Sequence, residues 1–165
     1  MKKLWAPWRM AYIQQSKPKG CIFCTKPKAN QDPKTFILFR STYSYVMMNV
    51  YPYNNSHLLV SPYRHVDRLE KLKDPELLDL VQTTNRSTQA LRKAISPEGF
   101  NIGVNVGKVA GAGIKSHVHV HIVPRWNGDT NFMPVLAESR VIPQHLTATF
   151  KTLLPFFKKN GKKRK

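Results

Sequence analysis

The stretch KSHVHVHIVPRW, residues 115–126, constrains the fold more than any other part of the chain. Its histidines His117, His119 and His121 alternate with Val118, Val120 and Ile122. A β-strand sends successive side chains to opposite faces, and valine and isoleucine favour that backbone. The period of two therefore predicts a strand with the imidazoles on one face and the aliphatic residues turned into a core. Three readings of such a face are open: a histidine-rich polar strand, a metal-binding face, or a catalytic face with one nucleophile and two helpers.

The neighbouring segments supply the rest of a sheet. KTFILFR (34–40) and YSYVMMNV (43–50) read as paired strands, and HLLVSP (57–62) as a third, with turn-forming YPYNNS before it. The period then changes. DPELLDLVQTTNRSTQALRKAIS predicts a long helix, with Asp74 as N-cap, Pro75 at the first helical position, and Leu77, Leu78, Val81, Leu91 and Ile95 at helical spacing. GFNIGVNVG (99–107) reads as a strand, KVAGAGIKS as a glycine-bearing loop, and 117–123 as the strand that carries the histidines. A shorter helix is expected from Gln144 to Phe150, extending to Leu154 and stopping before Pro155. The class is α+β.

A chain of 165 residues with 41% hydrophobic content suits one domain with a real core. The expectation is a single domain over 1–157 with an N-terminal extension, followed by a basic, solvated tail over 158–165. The balance of 27 Lys+Arg against 9 Asp+Glu, +18 overall, points to polyanionic partners such as nucleotides or nucleic acid. No apolar run approaches the roughly 18 residues a membrane span needs, and MKKLWAPWRMAYI lacks the uninterrupted apolar stretch of a signal peptide. A cytoplasmic protein is expected. In a reducing compartment the two cysteines, Cys21 and Cys24 of GCIFC, favour a metal over a disulfide, but they supply only half of a tetrahedral site.

Taken together, H-x-H-x-H followed by two apolar residues, the glycine-bearing loop before it, and MMNVYPYNNSHLLVSPYRHVDRL resemble the histidine triad superfamily of nucleotide hydrolases and transferases. GAGIKSHVHVHIVPRWNGDTNFMPV and LWAPWRMAYI are most similar to the branch containing diadenosine tetraphosphate phosphorylases and hydrolases. The resemblance implies the histidine triad fold, a five-stranded antiparallel sheet with one long helix and a shorter C-terminal one. It also implies a homodimer joined through the long helix and an adjoining strand.

The same resemblance assigns roles. His119 is the implied nucleophile on an α-phosphorus, forming a covalent nucleotidyl-histidine, with its other ring nitrogen held by the backbone carbonyl of His121. His117 and His121 flank it on phosphate oxygens. Asn49 corresponds to a residue that binds ribose hydroxyls, Asn105 to an amide that contacts phosphate, and His57 to a histidine that supports the triad's hydrogen bonds. Gly111 and Gly113 allow a backbone cradle for phosphate. Many members carry glutamine and Ser or Thr where this chain has Gly113 and Ile114, so Ser116, Lys115 or backbone donors are expected to take over the leaving-group contacts. Asn55 and Ser56 replace the usual Pro-Gly before His57. Relatives with a C-x-x-C bind structural zinc through residues that correspond to Cys21, Cys24, His65 and His117.

The implied function is a nucleotide phosphohydrolase or transferase acting on dinucleoside polyphosphates with adenine. An enzyme that removes AMP from nucleic-acid ends is the alternative within the same chemistry, and the charge would suit it. A nucleotide or nucleic-acid binding module is the alternative from another class. The basic tail carries no aromatic residue to stack on bases, so nucleic acid is not the favoured partner. A hydrolase with zinc on all three triad histidines is disfavoured, because HVHVH has no nearby carboxylate to act as general base.

Overall fold

The computed structural model describes residues 20–129 and 144–158. The segments expected as an N-terminal extension and a basic tail lie outside those residues, except that Lys158 closes the last helix. The elements are α1 (Ile22–Lys28), a short α2 (Asp32–Thr35), β1 (Ile37–Arg40), β2 (Ser44–Met48), β3 (Leu58–Pro62), α3 (Asp74–Ile95), β4 (Gly99–Val104), β5 (Val120–Arg125) and α4 (Leu146–Lys158). All strand pairs are antiparallel, in the order β1-β2-β3-β5-β4, so the expected five-stranded α+β architecture is present.

Alternation along the strands builds two layers. Val46, Met48, Leu58, Val60, Val118, Val120 and Ile122 face one way, into a core with Leu80, Ala90 and Leu91 of α3 and Phe150, Leu153 and Phe157 of α4. Tyr45, Met47 and Leu59 face the other way, where Ile37 and Phe23 of α1 complete a smaller cluster. The triad histidines lie on this second side, out of register with the valines, as the period of two requires.

The histidine strand begins later than expected. Only His121 lies within β5; His117, at a bend, and His119 precede the strand. Val60 pairs with Val120, so two residues further along each strand Pro62 would face Val118. Proline has no N–H for a ladder. The Val118 N–H bonds the Val66 carbonyl at 2.6 Å instead.

Other boundaries also moved. Asp74 is the first helical residue of α3 and not its cap; Lys73 is the N-cap, its N–H held by the Glu76 carboxylate at 2.8 Å. Leu77, Leu78 and Val81 are exposed, while α3 buries Leu80, Thr83, Thr84, Ser87, Ala90 and Leu91. The buried hydroxyls are satisfied: Thr84 and Ser87 each donate to the carbonyl four residues back at 2.8 Å, and Thr83 bonds the Ser44 hydroxyl, which itself donates to Asp79. Pro155 does not stop α4, which continues to Lys158 because Phe157 is buried beside Leu153. The short helix α1 carries Cys24, and α2 takes the place of the start of the expected first strand. Among the described residues no helix is long and apolar enough to cross a membrane.

Candidate functional site

Hydrogen bonds fix the tautomers of His57, His117, His119 and His121. A carbonyl can only accept, so the contact between His119 Nδ1 and the His117 carbonyl, 2.8 Å, puts the proton of neutral His119 on Nδ1 and leaves a lone pair on Nε2. This corrects the expectation that the His121 carbonyl would hold the ring. His119 Nδ1 reaches back to the residue two positions earlier, in the segment before β5.

The second chain of inference starts at a backbone amide. The Tyr53 N–H donates to His57 Nδ1 at 3.0 Å, so the proton of His57 sits on Nε2. That nitrogen donates to His121 Nδ1 at 3.0 Å, which moves the proton of His121 to its Nε2. His121 Nε2 is buried and has no partner among the described residues. Such a donor costs about 1–3 kcal/mol when left unmet, and an anionic oxygen would satisfy it.

Asn49 belongs to the same network. Its side-chain oxygen accepts the Tyr51 N–H at 3.0 Å, which turns its amide nitrogen toward His57 Nδ1 at 3.2 Å. Ser56 stands at φ 60°, the left-handed conformation that glycine takes without strain.

Burial keeps these rings neutral. It lowers His57 to about 3, with His121 and His119 adding to the effect, and lowers His121 to about 4, with His119 adding. His119 is also pushed below its ordinary value by burial, opposed by its bond to the His117 carbonyl. Phe23 stacks on the His119 ring, centroids 4.5 Å apart with planes 30° from parallel. Tyr53 stacks on His121 at 5.6 Å and 7°. On β4, Gly103 is paired with His121, and no atom of the described residues lies within 4 Å of where its Cβ would be.

The four residues expected as metal ligands come together. Cys21, Cys24, His65 and His117 place their donor atoms within 4.8 Å of one another. The Nδ1 atoms of His65 and His117 are 3.2 Å apart, and the sulfur to nitrogen distances are 3.3, 3.4 and 3.5 Å. A tetrahedral zinc ion sets its nitrogens about 3.3 Å apart and its sulfur and nitrogen about 3.6 Å apart, so the set fits. His117 Nε2 donates to the Pro62 carbonyl at 2.9 Å, which leaves Nδ1 as the free donor toward the cysteines. Both thiols are free, and burial and Cys21 raise the pKa of Cys24.

The loop before the triad departs in part from its expected form. Gly111 takes φ 85° and lies close to the Asn105 amide, but its N–H closes a turn onto the Lys108 carbonyl at 3.1 Å, and the Ala112 N–H bonds the Gly107 carbonyl at 3.3 Å. Those two amides therefore do not converge on an anion. Gly113 has no left-handed φ. Asn105 lies one residue beyond β4 and not on it. Ser116 is exposed beside Lys115, in a shallow depression that His65, Val66, Asp67 and Lys71 also line. Phe23, Tyr53 and the Pro62 carbonyl were not singled out from sequence, although Phe23 lies inside the CIFC motif and Tyr53 inside YPYNNS.

Comparison with known proteins agrees with this geometry. Residues 30–128 match the HIT domain family model. The chain is 37% identical over 161 residues to an AP-4-A phosphorylase of Mycobacterium tuberculosis (strain ATCC 25618 / H37Rv), covering 93% of this chain and 83% of that protein. It is 36% identical over 112 residues to the asymmetrical bis(5'-nucleosyl)-tetraphosphatase of Schizosaccharomyces pombe, covering 68% of this chain and 58% of that one. Among solved structures, a Zn-bound histidine triad family protein from Mycobacterium smegmatis superposes with a TM-score of 0.68 at 23% identity, covering 85% of this chain and 94% of that one. The triad, its tautomers and the family match lead to one conclusion: this chain belongs to the HIT domain family.

Proposed function

We propose that this protein cleaves dinucleoside polyphosphates of the diadenosine tetraphosphate type by nucleotidyl transfer through His119. The observation that carries the reading is the 2.8 Å bond from His119 Nδ1 to the His117 carbonyl, which leaves Nε2 unprotonated in a neutral ring. Phosphoryl-type transfer asks mainly for an aligned nucleophile and for charge neutralisation at the non-bridging oxygens. His119 Nε2 meets the first need, and the His121 Nε2–H, unpartnered among the described residues, the second. Names of relatives that act on such substrates support the substrate class.

The supporting roles follow from position. Asn49 and the space beside Gly103 serve the nucleoside, and Asn105 and Ser116 the phosphates. Zinc on Cys21, Cys24, His65 and His117 would close a four-ligand site, whose contribution is structural cross-linking and not activation of water. A twofold dimer would cover the exposed Leu77, Leu78 and Val81 of α3 and pair the edge strand β4, where Ile102 is exposed.

The test is a quenched incubation with substrate labelled in its adenylate. Acid-labile AMP on wild-type protein, absent in His119→Ala together with turnover, is the expected result; unchanged turnover in that variant would sink the mechanism. Product analysis with and without inorganic phosphate then identifies the acceptor.

A further inference from the structure

We propose that Phe23 is a positioning residue for His119 and that its ring face stabilises the positive charge His119 acquires. The inference rests on the nucleotidyl-transfer reading and deepens it. Phe23 lies in α1 between Cys21, the N-cap, and Cys24, and is 1% exposed. Its carbonyl and the first turn of helix around it are both held. The hydroxyl of the fully buried Tyr45 donates to the Phe23 carbonyl at 2.8 Å, and the Cys21 carbonyl accepts the N–H groups of Cys24 and Thr25 at 3.0 Å. The ring therefore meets His119 as a fixed surface, 4.5 Å between centroids and 30° from parallel, with the His117 ring 5.3 Å away.

A single hydrogen bond at Nδ1 fixes one atom of the His119 ring but not its plane. The stacked face supplies the missing constraint, and so aims the Nε2 lone pair. The chemistry gives that face a second task. When the Nε2 pair forms the bond to the α-phosphorus, the phosphorus–oxygen bond to the leaving nucleotide breaks and its electron pair departs on that oxygen as an anion. No proton leaves the ring, because Nδ1–H stays on the His117 carbonyl. The neutral imidazole thus becomes a cation in place, against the negative face of an aromatic ring. Attack by the acceptor returns the pair to Nε2 and removes the charge. An interaction stronger in the charged state than in the free ring accelerates the charging step. At a buried site its size corresponds to about tenfold in rate.

The test replaces Phe23 by a series of fluorinated phenylalanines, which drains the negative face with little change of shape, and by Phe23→Leu, which removes the face. Single-turnover formation of labelled nucleotidyl-protein and steady-state KM are measured for each variant. The expected result is a graded fall in the rate of label formation, about tenfold by pentafluorophenylalanine, with KM within twofold of wild type. Phe23→Leu is expected to fall at least as far. A rate that is unchanged across the fluorinated series overturns the charge-stabilising role, and an unchanged rate in Phe23→Leu overturns the positioning role. If wild-type protein forms no label at all, the proposed function fails, and this inference with it. If Phe23→Leu misfolds, the fluorinated series still decides.

Discussion

His117 joins two sites through different atoms: its carbonyl accepts from His119 Nδ1 at 2.8 Å, and its own Nδ1 lies 3.4 and 3.5 Å from the sulfurs of Cys21 and Cys24. The main chain that orients the proposed nucleophile is therefore anchored by a ring of the ligand set. Metal that binds only the folded chain stabilises it by mass action, about 4 kcal/mol at a thousandfold excess over Kd. Cys24→Ser is expected to lose bound zinc by elemental analysis, to unfold at lower temperature, and to lose kcat more than it raises KM. Wild-type kcat and melting temperature in a metal-free preparation would contradict this coupling.

His57 acts on the site through His121. Because the Tyr53 N–H occupies His57 Nδ1, the only proton His57 can give is the one on Nε2, and His121 receives it. His57→Gln can present an oxygen to Tyr53 and an N–H to His121, whereas His57→Phe can do neither. The Gln variant is expected to keep kcat within about tenfold and the Phe variant to lose about a hundredfold, the loss of one oriented donor. Equal kcat in the two variants would show that the His121 tautomer does not matter.

Much of this was legible in the sequence, for identifiable reasons. The alternation of His117, His119 and His121 with Val118, Val120 and Ile122 reports strand faces directly, because period two leaves no other way to bury the valines together. The ligand set needed more, since nothing local ties Cys21 to His117 across 96 positions. It was reached through resemblance and then met in space. What was missed depends on tertiary contact. Leu77, Leu78 and Val81 keep helical spacing, yet α3 turns Thr83, Thr84 and Ser87 inward, because their hydroxyls can bond within the helix or to Ser44. Pro155 reads as a stop, yet burial of Phe157 outweighs one lost hydrogen bond near a helix end. The carbonyl that holds His119 was misassigned because backbone direction in the segment before β5 is not written in side-chain types.

The buried histidines make stability depend on pH in a stated direction. His57 titrates near 3 in the folded protein because of burial and then the neighbouring His121 and His119, while an unfolded histidine titrates near 6.5. Between those values the unfolded chain binds more protons, so stability falls as pH falls below about 6.5 and is flat with respect to this group above it. His121, lowered to about 4, acts in the same direction. Each contributes a slope of about 1.4 kcal/mol per pH unit. Urea midpoints are expected to drop from pH 6.5 to pH 5, and less steeply in His57→Gln. A midpoint constant over that interval would contradict the burial of neutral rings.

Ser56 carries strain that a single substitution should remove. It holds φ 60° one residue before His57, and its hydroxyl is buried without a partner among the described residues. The left-handed backbone costs a residue with a Cβ about 1–2 kcal/mol, and an unmet buried hydroxyl adds to that. Glycine adopts the conformation freely and deletes the hydroxyl, but it loses about 0.5–1 kcal/mol more backbone entropy on folding. The gains outweigh the loss. Ser56→Gly is therefore expected to raise the unfolding free energy by about 1 kcal/mol, read from urea denaturation at pH 7.5. It should leave KM unchanged, because the turn keeps its shape and His57 keeps the Tyr53 N–H at 3.0 Å. A destabilised Ser56→Gly would mean that the serine hydroxyl meets a partner that outweighs the backbone strain.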